Sequence, residues 1–239
     1  MTILRHYLKV AARQMIRRKG YAFVNVAGLA VGVAACLLIL LYVRHERGYD
    51  RFHEKADRIY RIAWHSERPQ TRTPHPMAQA LVRDFPEVEA AVSLSPLWGP
   101  GLTRPTFSVR YGDRRFDEAG VLSADSTFFD VFTFPFLRGD PEAALAVPGG
   151  VVLTARTAEK YFGSDDPLGK VLRFNEQMDL TVTGVVADVP AQSHFHFDFL
   201  LSYVTMKAGD DSAYYTWADF GHYNYIVLAG GARAEAVAA

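Results

Sequence analysis

The stretch RRKGYAFVNVAGLAVGVAACLLILLYVRHE, Arg17 to Glu46, decides how the rest of the chain is read. Between its basic flanks, Tyr21 to Val43 are 23 residues without a charge. As a helix they would be about 34 Å long, against a bilayer core of roughly 30 Å. A cleavable signal has a shorter apolar core and a small-residue cleavage site, whereas this run leads into RHERGYDRFHEKADRIYR. A soluble-core helix apolar on every side would need more protein around it than the remaining residues supply. The run is therefore read as a retained membrane helix.

Working outward toward the N-terminus, Leu4, Leu8, Ala11, Ala12, Met15 and Ile16 share one helical face and Arg5, Lys9, Arg13 and Arg17 the other. That pattern predicts a basic amphipathic helix over residues 1–20, lying on an anionic leaflet and turning into the span near Gly20. The 239-residue chain balances 26 basic against 26 acidic residues, yet residues 1–20 carry a net +6 and the body a net −6. Lys and Arg number six on each side of the span when residues 44–61 are counted. Charge alone thus gives only a lean toward a cytoplasmic N-terminus. Within the span, Gly28, Gly32 and Ala35 form a small-residue stripe suited to close packing against another membrane helix. Asn25 sits near the basic end, where its amide can reach the interface.

The expected division is 1–20 interfacial helix, 21–43 transmembrane helix, 44–62 connector, and 63–239 a folded domain. Half the residues are hydrophobic and 13% aromatic, which argues for a packed core. The single cysteine, Cys36, lies in the apolar run and excludes an internal disulfide framework. Strands are expected at 58–65, 107–111, 115–122, 151–153, 172–174, 180–187, 195–203 and 223–228. Helices are expected at 77–85, between Pro76 and Pro86, and after Thr154, ending at Gly163. Gly112-Asp113 reads as a hairpin turn, and the aromatic run Phe128 to Phe136 as core. Irregular alternation of these elements predicts an α+β fold with a mixed sheet.

Two motifs tempt a chemical reading. GSDDPLGKV, Gly163 to Val171, lacks both the spacing and the Ser or Thr of a phosphate loop, so a helix stop and a tight turn explain it. In SHFHFDF a strand would put His194, His196 and Asp198 on one face, able to approach a metal, with His222 the only nearby further ligand. The same alternation describes any half-buried strand. The paired acids Asp165-Asp166 and Asp210-Asp211 fall in turn-like stretches. No catalytic set, cofactor site or nucleic-acid stripe emerges, so the chain is read as a non-enzyme without cofactor or metal.

The stretch RRKGYAFVNVAGLAVGVAACLLILLYVRHERGYDRFHEKADRIYRI, followed by VVLTARTAEKYFGSDDPLGKVLRF, TVTGVVADVP and SHFHFDFLLSY, resembles the N-terminal portion of FtsX-like, MacB-type ABC transporter permeases. The resemblance implies a bacterial inner-membrane protein with a cytoplasmic N-terminus and a periplasmic core domain. It further implies a separate ABC ATPase subunit, a homodimeric or paired permease, and a periplasmic partner protein. Such permeases have at least four spans, while no uncharged run approaching 18 residues follows Val43. A truncated chain is therefore expected. The rival reading is a complete single-span receptor with an outer ligand-binding domain; a membrane-anchored metalloenzyme through His194 and His196 is a third.

Overall fold

In the computed structural model, which describes residues 2–64, 70–96, 106–207 and 216–237, the chain divides into two compact units, Met1–Tyr49 and Asp50–Ala239. The first unit is a pair of helices. Helix α1 runs Thr2–Arg17 and α2 runs Lys19–Glu46. The bend expected near Gly20 falls at Arg18, whose φ of −120° and ψ of 59° leave the helical region. Gly20 stays helical because the Arg18 carbonyl already accepts from Ala22 N at 3.0 Å, which restarts the ladder one turn earlier. At 28 residues α2 is long and apolar enough to cross a membrane, and none of its residues is buried. It overshoots the 23-residue apolar run at both ends. Charged ends can remain helical because backbone bonding inside a helix is indifferent to which side chains it carries.

The second unit is built on one eleven-stranded mixed sheet. After a short 3₁₀ turn come β1 (Ile59–Arg61), α3 (Pro76–Asp84), β2 (Val88–Pro96), and the hairpin β3 (Phe107–Tyr111) and β4 (Arg114–Glu118). Then follow β5 (Val121–Ala124), α4 (Phe128–Val131), β6 (Phe136–Gly139), α5 (Pro141–Ala144), β7 (Gly150–Thr154) and α6 (Ala155–Phe162). The last elements are β8 (Val171–Phe174), β9 (Met178–Val186), β10 (Phe199–Ser202), α7 (Tyr203–Lys207) and β11 (Tyr223–Leu228). Strand order is β1-β11-β2-β5-β10-β7-β9-β8-β3-β4, with β6 pairing the second half of β9 beyond β8. The β10–β5 and β7–β9 pairs are parallel and the rest antiparallel. The fold is α+β with a mixed sheet.

Period-two alternation decides where each core lies. In the central strands Val121, Val151, Leu153, Phe199 and Leu201 feed one cluster, while Leu122, Ala124, Val152 and Leu200 feed another on the opposite face. Both faces are covered, so β5, β7 and β10 are buried at every position. Helix α6 closes the first cluster with Ala158, Tyr161 and Phe162. The aromatic run closes the second with Phe128, Phe132 and Phe134, as its composition implies. A third cluster packs Ala78 of α3 on Val88, Ala91, Ile226 and Leu228. The Thr154 hydroxyl caps α6 by accepting from Thr157 N, and Gly163, at φ 65°, ends it.

Three sequence expectations are corrected. The strand expected at 58–65 is only Ile59–Arg61, because Ala56–Arg58 is spent on a 3₁₀ turn; Trp64 bridges Gln70, and 65–69 lie outside the described residues. The stretch 115–122 splits at Gly120, whose carbonyl accepts from both Asp198 N and Phe199 N. Its two halves, β4 and β5, then go to the edge and the middle of the sheet. The stretch Ser193 to Asp198 is not a strand. Its first N–H groups bond the Pro190 carbonyl and the Asp50 carboxylate rather than a neighbouring strand, and regular pairing starts only at Phe199. Phe197 is nonetheless buried and His196 exposed, so the alternation is real for burial without being a strand.

Candidate functional site

The residues that follow α2 in the chain, Asp50 to Arg61, are fastened to the sheet domain at many points. Asp50 takes a left-handed conformation, φ 58°, which aspartate tolerates better than most residues. Its N–H donates to the Gln192 carbonyl at 2.8 Å, and its carboxylate accepts from His194 N at 3.0 Å and His194 Nδ1 at 2.8 Å. A carboxylate only accepts, so His194 Nδ1 donates to it, while His194 Nε2 lies 2.8 Å from the Tyr225 hydroxyl. Burial pushes the Tyr225 phenol up to about 12, against the opposing pull of the nearby Arg61 charge. A chain of contacts therefore joins Tyr225, His194 and Asp50.

His53 forms the buried centre. It is 3% exposed and packs on Phe52, Phe132 and Phe134, with ring centroids 4.0, 5.1 and 5.5 Å away. Thr133 N donates to its Nδ1 at 3.0 Å, and Glu54 N donates back to Thr133 Oγ1 at 3.0 Å. Burial lowers the His53 pKa to about 4, so the ring is neutral with its proton on Nε2. Beyond it, Lys55 Nζ reaches Glu89 at 3.1 Å and the Asp130 carbonyl at 3.0 Å; Arg58 pairs with Glu89 and donates to the Leu228 carbonyl at 2.6 Å. Hydrogen bonds from Arg58 and Lys55 hold the Glu89 carboxyl below its usual value. A cavity of about 410 Å³ opens among Asp50, His53, Arg61, His194 and Tyr225. The arrangement pairs no nucleophile with a base. It grips the chain.

The sequence-predicted residues are dispersed. Gly28 and Gly32 lie on α2 with nothing within 4 Å of a Cβ built on either, and Ala35 is exposed beside them. His194 belongs to the grip, His196 faces solvent, and Asp198 lies 3.6 Å from Arg156 with its pKa raised by burial. His222 bonds the Tyr203 hydroxyl at 3.0 Å. Among the described residues, no group of three or more His, Cys, Asp and Glu side chains gathers as a metal site would require. Gly169, at φ 73°, and Leu168 N on Asp166 Oδ1 form the tight turn expected of DPLGK. Asp210-Asp211 lie outside the described residues.

Sequence reasoning missed a second polar cluster. His75 Nε2 lies 2.9 Å from Asp125 Oδ1, and its ring stacks on Tyr203 at 4.2 Å; burial and the neighbouring His75 lower the His222 pKa to about 4. Asn224 Nδ2 donates to Thr73 Oγ1 and the Pro74 carbonyl. The only signal was a polar residue inside apolar strands, at Ser93, Ser123 and Asn224.

Comparison with known proteins places this geometry. Residues 22–239 match the MacB-like periplasmic core domain family. A domain of a permease protein from Porphyromonas gingivalis is similar at 23% identity and a TM-score of 0.65, over 77% of this chain and 81% of that one. The periplasmic region of MacB from Actinobacillus actinomycetemcomitans is similar at 15% identity and a TM-score of 0.51, over 69% of each chain. No curated protein matches significantly. The match begins inside α2 and runs through the grip and the sheet to the last residue, so the chain belongs to the MacB-like periplasmic core domain family.

Proposed function

We propose that this chain is a permease subunit that passes work done by a separate cytoplasmic ABC ATPase, through its membrane helix, to the periplasmic sheet domain, for export or mechanotransmission. Its N-terminus is in the cytoplasm, residues 1–20 lie on the inner leaflet of the bacterial inner membrane, 21–43 span it, 44–62 connect, and 63–239 fold in the periplasm. Gly28, Gly32 and Ala35 pack against another membrane helix, from a second copy or a paired permease, and a periplasmic protein receives the movement. The chain itself carries no catalysis.

The observation that carries this reading is the grip on Asp50 to Arg61. A helix can transmit a rigid-body displacement only if its exit is fastened to what must move. Here Asp50, His53, Glu54, Lys55 and Arg58 each bond an element distant in sequence. The test combines topology reporters at the N-terminus and after Tyr203 with affinity isolation of the tagged chain from its own membranes. The expected outcome is a cytoplasmic signal at the first position, an exported signal at the second, and co-isolation of an ABC ATPase. Isolation without an ATPase but with a kinase or regulator would replace this reading with the receptor; an exported N-terminus would overturn the orientation.

A further inference from the structure

Among the described residues of this unit, the arginines at the elbow between α1 and α2 have no carboxylate partner. Glu46 is the first acid in the sequence, 28 residues beyond Arg18 and at the far end of α2, so Arg17 and Arg18 have no carboxylate in their surroundings within this unit. Both side chains are exposed and line a cavity of about 820 Å³. The amides of Gln14 and Asn25 add hydrogen-bond donors to the same cavity, while Met15 and Val26 give it apolar wall. That wall continues into the uncharged surface of α2, and Tyr21, also lining the cavity, is a residue type that favours the boundary between lipid and water. Guanidinium groups match phosphate oxygens in pairs, which a lone ammonium cannot do.

We infer that this elbow binds the phosphate of an anionic phospholipid headgroup, with the acyl chains running along α2. The chemistry asked for is an anion attached to an apolar body. A free inorganic phosphate would satisfy the arginines and leave Met15 and Val26 uncovered. The site rests on the reading of α2 as a membrane helix, and it goes beyond a general attraction of the basic arm to a charged leaflet, because it places the contact at two arginines of the seven cations and basic side chains that precede Tyr21.

The test uses the full chain in neutral detergent, offered equal amounts of phosphatidylglycerol and phosphatidylcholine of identical acyl composition and read by native mass spectrometry. Phosphatidylglycerol adducts should dominate. The R17Q/R18Q variant, checked by circular dichroism for unchanged helicity, should lose about fivefold of that preference per arginine. The R5Q/K9Q variant removes the same charge from the first half of α1 and should keep the preference. Equal loss in both variants, or equal retention of both lipids by the unaltered chain, overturns the site. Displacement of the lipid by millimolar inorganic phosphate would assign the arginines to a soluble anion and overturn the lipid. Failure to retain either lipid, together with recovery of the chain in water without detergent, would remove the membrane reading beneath it.

Discussion

Acid should destabilise the fold through the buried His53 of the grip. The folded-state pKa of this ring is lowered from 6.5 to about 4 by burial. Below pH 6.5 the unfolded chain takes up a proton that the folded ring refuses, so the unfolded state binds more protons and stability falls as pH falls. The contribution is full above 6.5 and is lost between 6.5 and 4. For one such histidine the loss is about 2 kcal/mol by pH 5 and about 3 kcal/mol by pH 4. His222, lowered to about 4 in the same way, loses a similar amount. His53→Asn keeps an acceptor for Thr133 N and cannot titrate. The assay is urea unfolding of the full chain in neutral detergent at pH 7.5 and pH 5. Wild type should lose about 2 kcal/mol more than the variant between the two pH values, or about 1 M in midpoint at a slope near 2 kcal/mol/M. Every other group titrates equally in both proteins, so equal losses would refute the buried, neutral ring.

Three further outcomes are expected. A double-mutant cycle on Asp50→Ala and His194→Ala should give a coupling of about 1 kcal/mol, modest because both side chains are about a third exposed; zero coupling in urea unfolding would remove the pair from the grip. Phe128→Ala, at 0% exposure and in ring contact with Phe129, Phe132, Phe134, Phe195 and Phe197, should cost about 4 kcal/mol in the same assay, and a loss below about 1 would contradict its central place. Gly139→Ala should cost about 2–4 kcal/mol and expose the β6–β9 pairing to hydrogen exchange, because φ is 88° and a Cβ would lie 2.5 Å from the Thr183 carbonyl; Gly163→Ala, with φ 65° but open space around it, should cost only about 1 kcal/mol.

What could be read before folding was local. Tyr223–Leu228 and Phe107–Tyr111 are strands by their own apolar content, α3 is framed by its prolines, and α6 by Thr154 and Gly163. The long apolar helix α2 was legible from its uncharged run alone. What escaped was decided by distant partners. Nothing near Ser193 announces that Asp50, 144 residues away, takes the N–H of His194, or that Gly120 takes two donors from the start of β10. The grip was visible only as the recognisable segments YDRFHEKADRIYR and SHFHFDF, and their meeting through Asp50 and His194 gives both a physical role. His194 looked like a ligand because a sequence shows a donor without showing who accepts.

The fastening also orders what would yield under load. The Glu89 pairs with Lys55 and Arg58 are exposed, at 31–40% of side-chain surface, and such pairs are worth about 0–1 kcal/mol each. They give way first. Asp50 holds by three bonds to Gln192 and His194, of which the backbone bond to the Gln192 carbonyl is the one that no rotamer change can release. His53 holds by its place among aromatic rings, which a displacement would have to expose to water. Past these, β1 is paired with β11 at three positions, and β11 with β2 along almost its whole length. A pull on Asp50 therefore reaches the buried middle of the sheet through β11, β2 and β5 rather than stopping in a surface loop. That path runs through close-packed strands, and a close-packed interior has low compressibility and transmits strain.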